Sequence, residues 1–129
     1  MPTNSALKVL YIEDNPIQVR SGSRTLRRIG ANMVIVDTGA SALKTIETQT
    51  FDLILFDLRL PDMDGFELLD YLHHKIPEAA ILVLTGFGPP GLREKCLQSG
   101  AADVLIKPVD PNDLEAALRK YLPVSGSDI

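Results

Sequence analysis

Five short apolar runs, separated by segments with helical periodicity, constrain this sequence more than any other feature. The runs are rich in branched residues and do not alternate between apolar and polar positions, which is typical of strands buried on both faces. They lie at residues 9–12, 33–36, 53–56, 79–84 and 104–106. Each is followed by a segment long enough to form a connecting helix. We therefore predict an α/β fold with a parallel sheet and helices on both of its faces.

Capping signals mark the ends of several predicted helices. Asn15 is a good N-cap residue and Pro16 suits the first helical position, while Gly30 is expected to end the same helix. The third helix should end before Pro77, and the fifth should begin near Pro111. Because crossovers between parallel strands are right-handed, five such strand–helix units leave few topologies open.

Composition restricts the class of protein. The chain has 129 residues, of which 45% are hydrophobic and 23% charged, and these values fit one globular domain. Its formal net charge of -4 provides no overall field that would attract nucleic acid or anionic lipid. We therefore expect neither nucleic acid nor a membrane as a direct partner.

Other features of the sequence bear on the cellular compartment and on where the domain begins and ends. Cys96 is the single cysteine, so a disulfide within the chain and a zinc site of paired cysteines are both excluded. No secretory signal is visible, and no apolar run is long enough to cross a bilayer, so we expect a cytoplasmic protein. We expect the domain to cover residues 1–122 and residues 123–129 to form a flexible tail or the stub of a linker.

Polar residues follow every predicted strand, and those after the second strand are typical of a turn and a helix cap. Glu13 and Asp14 come after the first strand, Asp57 after the third, Thr85 after the fourth and Lys107 after the fifth. Ligands of open parallel sheets bind outside the carboxyl ends of the strands, so these residues are candidate site residues. Capping of the next helix explains Asp14 equally well, but capping does not require Asp57, because the loop after it already contains two aspartates nearer the third helix.

The chemistry of these residue types indicates phosphoryl transfer. Carboxylates gathered at one sheet edge repel one another unless a cation neutralises them, and oxygen ligands without nitrogen or sulfur favour Mg²⁺. A lysine and a threonine at the same edge suit phosphoryl oxygens. An aspartate nucleophile together with these groups fits transfer of a phosphoryl group to the aspartate.

Four motifs together resemble the receiver domain of two-component response regulators, the CheY-like superfamily. They are residues 11–16, 57–65, 84–86 and 107–108, and the resemblance extends over residues 7–122. It implies a flavodoxin-like fold, in which a five-stranded parallel sheet of order 2-1-3-4-5 is flanked by five helices.

The same resemblance implies a role for each matching residue at the phosphorylation site. Asp57 would be the phosphoacceptor, receiving its phosphoryl group from a sensor histidine kinase or a histidine phosphotransfer domain. Mg²⁺ would be bound by Asp14, by Asp57 and by the backbone carbonyl of Arg59, and through a water molecule by Glu13. The expected function is a phosphorylation-dependent signalling switch, which assists its own phosphorylation and dephosphorylation and is not a dedicated turnover enzyme.

Two further residues would transmit the signal. Thr85 would move toward the phosphoryl group, and Lys107 would pair with that group. The peptide bond between Lys107 and Pro108 would be cis. The resulting conformational change would act on a downstream effector protein or domain.

The sequence departs from the family pattern on the side expected to carry the signal outward. Val104 stands where many receivers have an aromatic residue, so the usual aromatic switch should be absent. Phe87 is a candidate to replace that switch, but packing at the rim of the sheet explains this residue better. The prolines within 88–91 should delay the start of the fourth helix and leave its entry loop irregular and mobile. We also hypothesise that Arg59 and Phe87 together set the lifetime of the phosphoaspartate.

Two alternatives remain from other functional classes. An aspartate-based phosphatase of the haloacid dehalogenase-like type would need an acid two residues after the nucleophile, where Arg59 stands and cannot donate a proton at neutral pH. A phosphate-independent pseudo-receiver that acts as a protein-binding scaffold is the second alternative. It predicts the loss of one or more site residues, but all of them are present.

Overall fold

The computed structural model describes residues 7–86 and 88–122, and within them five strands alternate with five helices. The strands are β1 (Lys8–Ile12), β2 (Asn32–Val36), β3 (Leu53–Asp57), β4 (Ala80–Thr85) and β5 (Asp103–Ile106). The helices are α1 (Pro16–Arg28), α2 (Gly39–Ile46), α3 (Gly65–Lys75), α4 (Leu92–Gln98) and α5 (Pro111–Tyr121). Each strand lies within one residue of its predicted run.

All strands are parallel and their order is β2-β1-β3-β4-β5, which confirms the predicted α/β fold. The register pairs Ile12 with Phe56 and Thr85 with Ile106. As a result, the residues that follow β1, β3 and β5 lie at the same edge of the sheet. The fold therefore places the chemically interesting residues together.

Each face of the sheet carries its own hydrophobic core. Because side chains alternate along a strand, β1 directs Leu10 and Ile12 to one face and Val9 and Tyr11 to the other. Residues of α2, α3 and α4 cover the first face, and residues of α1 and α5 cover the second. Full burial of one such side chain contributes about 1.5–3 kcal/mol, so the central strands stabilise the whole domain.

The edge strands differ from the expectation that every strand is covered on both faces. Ile35 of β2 is 40% exposed and Ile106 of β5 is 52% exposed, whereas all five residues of β3 are buried. β2 and β5 are the edge strands, and each has a neighbouring strand on one side only, so some of their side chains stay open to solvent. An apolar run without alternation therefore predicted the strands correctly but overestimated the burial of these two.

Side-chain caps fix where the helices begin. Asn15 accepts hydrogen bonds from the backbone N–H groups of Ile17 and Gln18, and Pro16 is the first residue of α1, as predicted. Asp64 caps α3 by accepting a hydrogen bond from the N–H of Phe66. The capping of α3 therefore does not require Asp57, which remains available for chemistry.

The fourth helix starts late, as the prolines predicted. It begins at Leu92, and the preceding Gly91 adopts the left-handed region with a φ of 88°. The expected mobility of this entry loop stays a prediction, which amide hydrogen exchange across residues 86–92 would test. Phe87 and the tail at 123–129 lie outside the described residues, so the predictions made for them also stand untested.

None of the helices in the described residues combines the length and the apolar character needed to cross a membrane.

Candidate functional site

Three carboxylates meet at the carboxyl edge of the sheet. Glu13 and Asp14 directly follow β1, and Asp57 is the last residue of β3. One carboxylate oxygen from each lies within 4.8 Å of the others. Glu13 is 1% exposed and Asp57 is 7% exposed, whereas Asp14 is open to solvent. The structure thus brings together the acidic residues that the sequence singled out.

Lys107 lies between two of these acids. Its Nζ donates to Asp57 Oδ2 at 2.7 Å and to Glu13 Oε1 at 3.0 Å. Its backbone N–H donates to the carbonyl of Thr85 at 2.7 Å, and this bond anchors the end of β5 beside β4. The peptide bond from Lys107 to Pro108 is cis, as the resemblance implied.

Burial and charge oppose each other at this lysine. Burial alone would lower the pKa of Lys107, but the hydrogen bonds and the negative charges of Asp57 and Glu13 outweigh it and raise the pKa. The ammonium group is therefore charged at neutral pH. Burial raises the pKa of Glu13, despite the hydrogen bonds that its carboxylate accepts from Lys107 and from the N–H of Asn15.

Backbone groups hold the remaining oxygens of the site. Asp57 Oδ1 accepts a hydrogen bond from the N–H of Arg59 at 3.0 Å, and Glu13 Oε2 accepts one from the N–H of Asn15 at 3.1 Å. Each buried carboxylate is thus fixed at both oxygens. Among the described residues, the structure gives Asp14 no such partner, so its carboxylate is free to bind a ligand.

The donor set fits a hard divalent cation. Its ligand atoms are oxygens, with no nitrogen or sulfur ligand in the cluster. Three carboxylates and one ammonium group have a net formal charge of -2, which a divalent ion neutralises. Glu13, Asp14, Asp57 and the backbone carbonyl of Arg59 are the groups that would hold Mg²⁺.

A cavity of about 700 Å³ opens over the acidic cluster and contains Asp57, Lys107, Arg59 and Gln18 in its wall. Thr85 instead lines a neighbouring cavity of about 330 Å³, together with Arg59 and Leu92. The threonine is 8% exposed and follows β4 as predicted. Its movement toward a phosphoryl group stays a prediction, as do the roles assigned to the other site residues.

Val104 is buried within β5, and its carbonyl accepts a hydrogen bond from Arg93 Nη1 at 2.9 Å. Nη2 of the same arginine bonds Asp103 Oδ1 at 2.9 Å, and Asp103 also accepts a bond from the hydroxyl of Tyr121. This network joins α4, β5 and α5 beside the position where an aromatic residue is common. Sequence reasoning did not find the network, because its members lie far apart in the chain.

Sequence reasoning also missed the contacts of Asp62. Its carboxylate accepts hydrogen bonds from the N–H groups of Gly39 at 2.9 Å and Ala40 at 3.0 Å, at the start of α2. The signal available was the acidic residue in a loop whose helix already has Asp64 as its cap. The distant helix it binds could not be identified from the sequence.

Comparison with known proteins agrees with this geometry. The family described as the response regulator receiver domain matches residues 9–119. A solved CheY-like response regulator receiver domain protein from Methanospirillum hungatei JF-1 is 32% identical, with a TM-score of 0.84, over 90% of this chain and 93% of that one. The sheet order and the acidic edge define the receiver class, and this chain belongs to the response regulator receiver domain family.

Two curated relatives are longer proteins. The signal transduction histidine-protein kinase BarA of Escherichia coli K12 is 31% identical over 94% of this chain, and the transcriptional regulatory protein ZraR of the same organism is 32% identical over 93%. The matched region spans 13% of the length of BarA and 27% of the length of ZraR. The similarity therefore concerns the receiver portion of each relative.

Proposed function

We propose that this chain is a phosphorylation-dependent signalling switch in which Asp57 accepts a phosphoryl group. The observation that carries the proposal is the placement of Asp57 within 2.7 Å of the Lys107 ammonium and beside two further carboxylates. A nucleophilic carboxylate, a fixed cation and an acidic oxygen cluster are the parts that phosphoryl transfer requires.

The donor is a phosphohistidine on a sensor histidine kinase or on a histidine phosphotransfer domain. A carboxylate oxygen of Asp57 attacks phosphorus, an acyl phosphate P–O bond forms and the P–N bond to the histidine breaks. The bond electrons leave with the imidazole nitrogen, which takes up a proton from solvent. Mg²⁺, when bound, supplies charge neutralisation on the transferring oxygens, and Lys107 supplies a second positive charge.

The product changes the surface of the domain, and a downstream effector protein or domain reads that change. Thr85 moves from its own cavity toward the phosphoryl group in this scheme. A receiver that works in this way holds one phosphoryl group as a signal, so it is a switch and not a dedicated turnover enzyme. The printed names of BarA and ZraR, a kinase and a transcriptional regulator, support partners of these two kinds.

The test is phosphorylation of the full chain by acetyl phosphate, followed by intact mass. We expect a gain of one phosphoryl group that requires Mg²⁺ and is absent in Asp57→Ala. Asp52→Ala is a suitable control, since Asp52 lies at the opposite end of β3 and should leave the gain unchanged. No gain, together with no response to beryllofluoride or to a broad set of kinases, would favour the phosphate-independent scaffold.

The lifetime of the phosphoaspartate depends on what borders the route of the attacking water. Arg59 lines the cavity that contains Asp57, which supports its proposed role in that lifetime. We expect Arg59→Asn to change the dephosphorylation rate measured by the decay of the phosphorylated mass. If Arg59→Asn and Phe87→Glu both leave the rate unchanged, these two residues do not control it.

A further inference from the structure

The loop between β3 and α3 is fastened to a helix that is distant in the chain. Both oxygens of the Asp62 carboxylate are used: Oδ1 accepts from the N–H of Gly39 and Oδ2 from the N–H of Ala40. These contacts join residues 23 and 22 positions apart. We call this pair of hydrogen bonds the α2 brace.

The α2 brace completes the capping of α2. The N-cap residue, Thr38, uses its Oγ1 to accept from the N–H of Ser41 at 3.0 Å, which leaves the first two N–H groups of the helix without a local partner. The carboxylate of Asp62 binds these two groups where the helix dipole favours negative charge. The same hydrogen bonds lower the pKa of Asp62, so the carboxylate is ionised at neutral pH.

Close packing restrains the same loop at two more places. A Cβ added to Gly39 would collide with the side chain of Met63, so the loop lies directly on the start of α2. A Cβ added to Gly65 would collide with the carbonyl of Leu58, so the two ends of the loop also touch. The segment from Leu58 to Gly65 is therefore held at its ends and at its centre.

Arg59 lies inside this restrained segment, three residues before Asp62. Its backbone N–H is bonded to Asp57 Oδ1 at 3.0 Å, and its backbone carbonyl is the group that would complete the Mg²⁺ ligand set. A backbone carbonyl cannot be reoriented by a side-chain rotation, so its position depends on how firmly the loop is held. The α2 brace ties this loop to the start of α2, three residues after Arg59.

We propose that Asp62 is a positioning residue for the metal site, which holds the loop so that the Arg59 carbonyl is in place for Mg²⁺ and which couples the cation to the first turn of α2. The inference rests on the proposed function, because it assumes that the acidic cluster binds Mg²⁺. Coupling between two sites is reciprocal. Bound Mg²⁺ should therefore stabilise the brace as much as the brace favours Mg²⁺.

The first measurement is the affinity of the unphosphorylated full chain for Mg²⁺ alone, by isothermal titration calorimetry. We expect Asp62→Asn to weaken the affinity by about fivefold or more, the lower end of typical couplings between sites. Asp64→Asn is the matched control: it removes the same charge from the same loop and keeps an oxygen that can cap α3, and Asp64 has no hydrogen bond to α2. It should change the affinity for Mg²⁺ by less than about twofold, because salt screens the effect of losing one exposed charge.

A second variant reaches the same contact from α2 without removing a charge. Gly39→Ala forces Met63 away from the start of the helix, and we expect it to weaken Mg²⁺ binding in the same direction as Asp62→Asn. Thermal unfolding of each variant in chelator establishes that it is folded before titration.

The second measurement reads the reciprocal effect, which a purely structural role would not produce. Saturating Mg²⁺ should slow hydrogen exchange at the amides of Gly39 and Ala40 in the wild-type chain. The factor by which Mg²⁺ slows exchange in the wild-type chain should equal the factor by which Asp62→Asn weakens Mg²⁺ binding. In the Asp62→Asn variant, Mg²⁺ should no longer slow exchange at these amides.

The outcomes separate the two proposals. If the wild-type chain does not bind Mg²⁺, the proposed function is wrong and this inference falls with it. If the wild-type chain binds Mg²⁺ but Asp62→Asn binds it equally well, or if Asp64→Asn is weakened as much, the positioning role alone is overturned. Weakening by Asp62→Asn and Gly39→Ala, with Asp64→Asn unaffected, supports it.

Discussion

The side chain of Tyr11 fixes how closely the first helix packs against the sheet. Tyr11 is 1% exposed in β1, and its hydroxyl donates to the carbonyl of Gln18 in α1 at 2.9 Å. Its ring occupies the space that a side chain at position 22 would need, and that position is glycine. Burial raises the pKa of this phenol well above its usual range, so it acts as a neutral donor.

Gly22→Ala should lower the free energy of unfolding by about 1–3 kcal/mol, the usual cost of overpacking. Alanine is the better helix former by about 1 kcal/mol, but the added Cβ would collide with the ring of Tyr11, which is buried and cannot move aside. Urea unfolding measures the change. Ser21→Ala, at an exposed position of the same helix, should stay within about 0.5 kcal/mol. Equal stability of Gly22→Ala and the wild-type chain would show that the ring yields.

At the scale of single residues, the sequence predicted which polar side chains meet at one edge of the sheet but not the contacts that support them. Glu13, Asp57 and Lys107 could be chosen because each follows an apolar run that predicts a strand, and parallel strands place such residues at one edge. Asp62 and Gly22 could not be chosen in this way. Their importance depends on contacts with Gly39 and Tyr11 from other elements, and no local pattern encodes such contacts.

At the scale of elements, the fourth helix and its attachment to the fifth strand depart most from the usual receiver pattern. The helix has seven residues, begins after a left-handed glycine and receives no side-chain cap. Arg93 fastens it to β5 through the Val104 carbonyl and the Asp103 carboxylate. The prolines predicted the late start, because the residue before a proline avoids the helical region. The hydrogen bonds of Arg93 to β5 could not be predicted, since their acceptors lie ten or eleven residues away in the chain.

Gly91→Ala should cost about 1–2 kcal/mol of stability, since the left-handed conformation penalises any residue with a Cβ. No described atom lies within 4 Å of the added carbon, so the cost comes from the backbone alone. Gly86→Ala is the matched control, because it is equally open but has no left-handed φ. Chemical denaturation measures the loss of stability in both variants. Equal losses would mean that the left-handed conformation of Gly91 is not the cause.

The tie at Asp103 should make stability depend on pH in the acid range. Burial would raise the pKa of Asp103, but hydrogen bonds from Val104 and Arg93 outweigh it and lower the pKa. A carboxyl with a lowered pKa stabilises the fold above its unfolded pKa of about 3.9, and the stabilisation is lost as the pH falls through the folded value. Asp103→Asn should therefore cost about 1 kcal/mol at pH 7, since Arg93 is largely solvent-exposed.

The same substitution should cost progressively less below about pH 4, because the unfolded wild-type chain then takes up a proton at Asp103 that the folded chain takes up only at lower pH. Urea unfolding of both proteins between neutral and acid pH measures the difference. Two stability curves that run parallel across this range would contradict the assignment.

At the scale of the whole molecule, a stable two-faced sheet carries a site with crowded like charges. The sequence predicted the sheet because its central runs are continuously apolar, and the match over residues 9–119 agrees with that reading. The exposure of the two edge strands could not be predicted, because it depends on the order of the strands in the sheet, which no single apolar run encodes. The crowded carboxylates at one edge oppose the stability that the cores provide.

Mg²⁺ should therefore stabilise the entire domain against unfolding. At a concentration 100 times its dissociation constant, a ligand that binds only the folded state adds about 2.7 kcal/mol. Asp14→Asn should lose most of this gain, because it removes one of the three carboxylates of the proposed Mg²⁺ site. In chelator it should unfold at a higher temperature than the wild-type chain, because it relieves repulsion. Calorimetric scans with Mg²⁺ and with chelator measure both effects.

Asp37→Asn serves as the control, since Asp37 is an exposed acid that follows β2 outside the three-carboxylate cluster. Its response to Mg²⁺ should equal that of the wild-type chain. An equal loss in both variants would mean that the cation acts through general charge screening.

The hydrogen bonds of Lys107 join residues that are 94 and 50 positions apart in the chain. During synthesis, Glu13 and Asp57 therefore leave the ribosome well before the lysine that neutralises them. Until β5 pairs with β4, a growing chain holds the acidic half of the site without its cation. The complete cluster of two buried carboxylates and one ammonium group therefore forms only when the last strand joins the sheet.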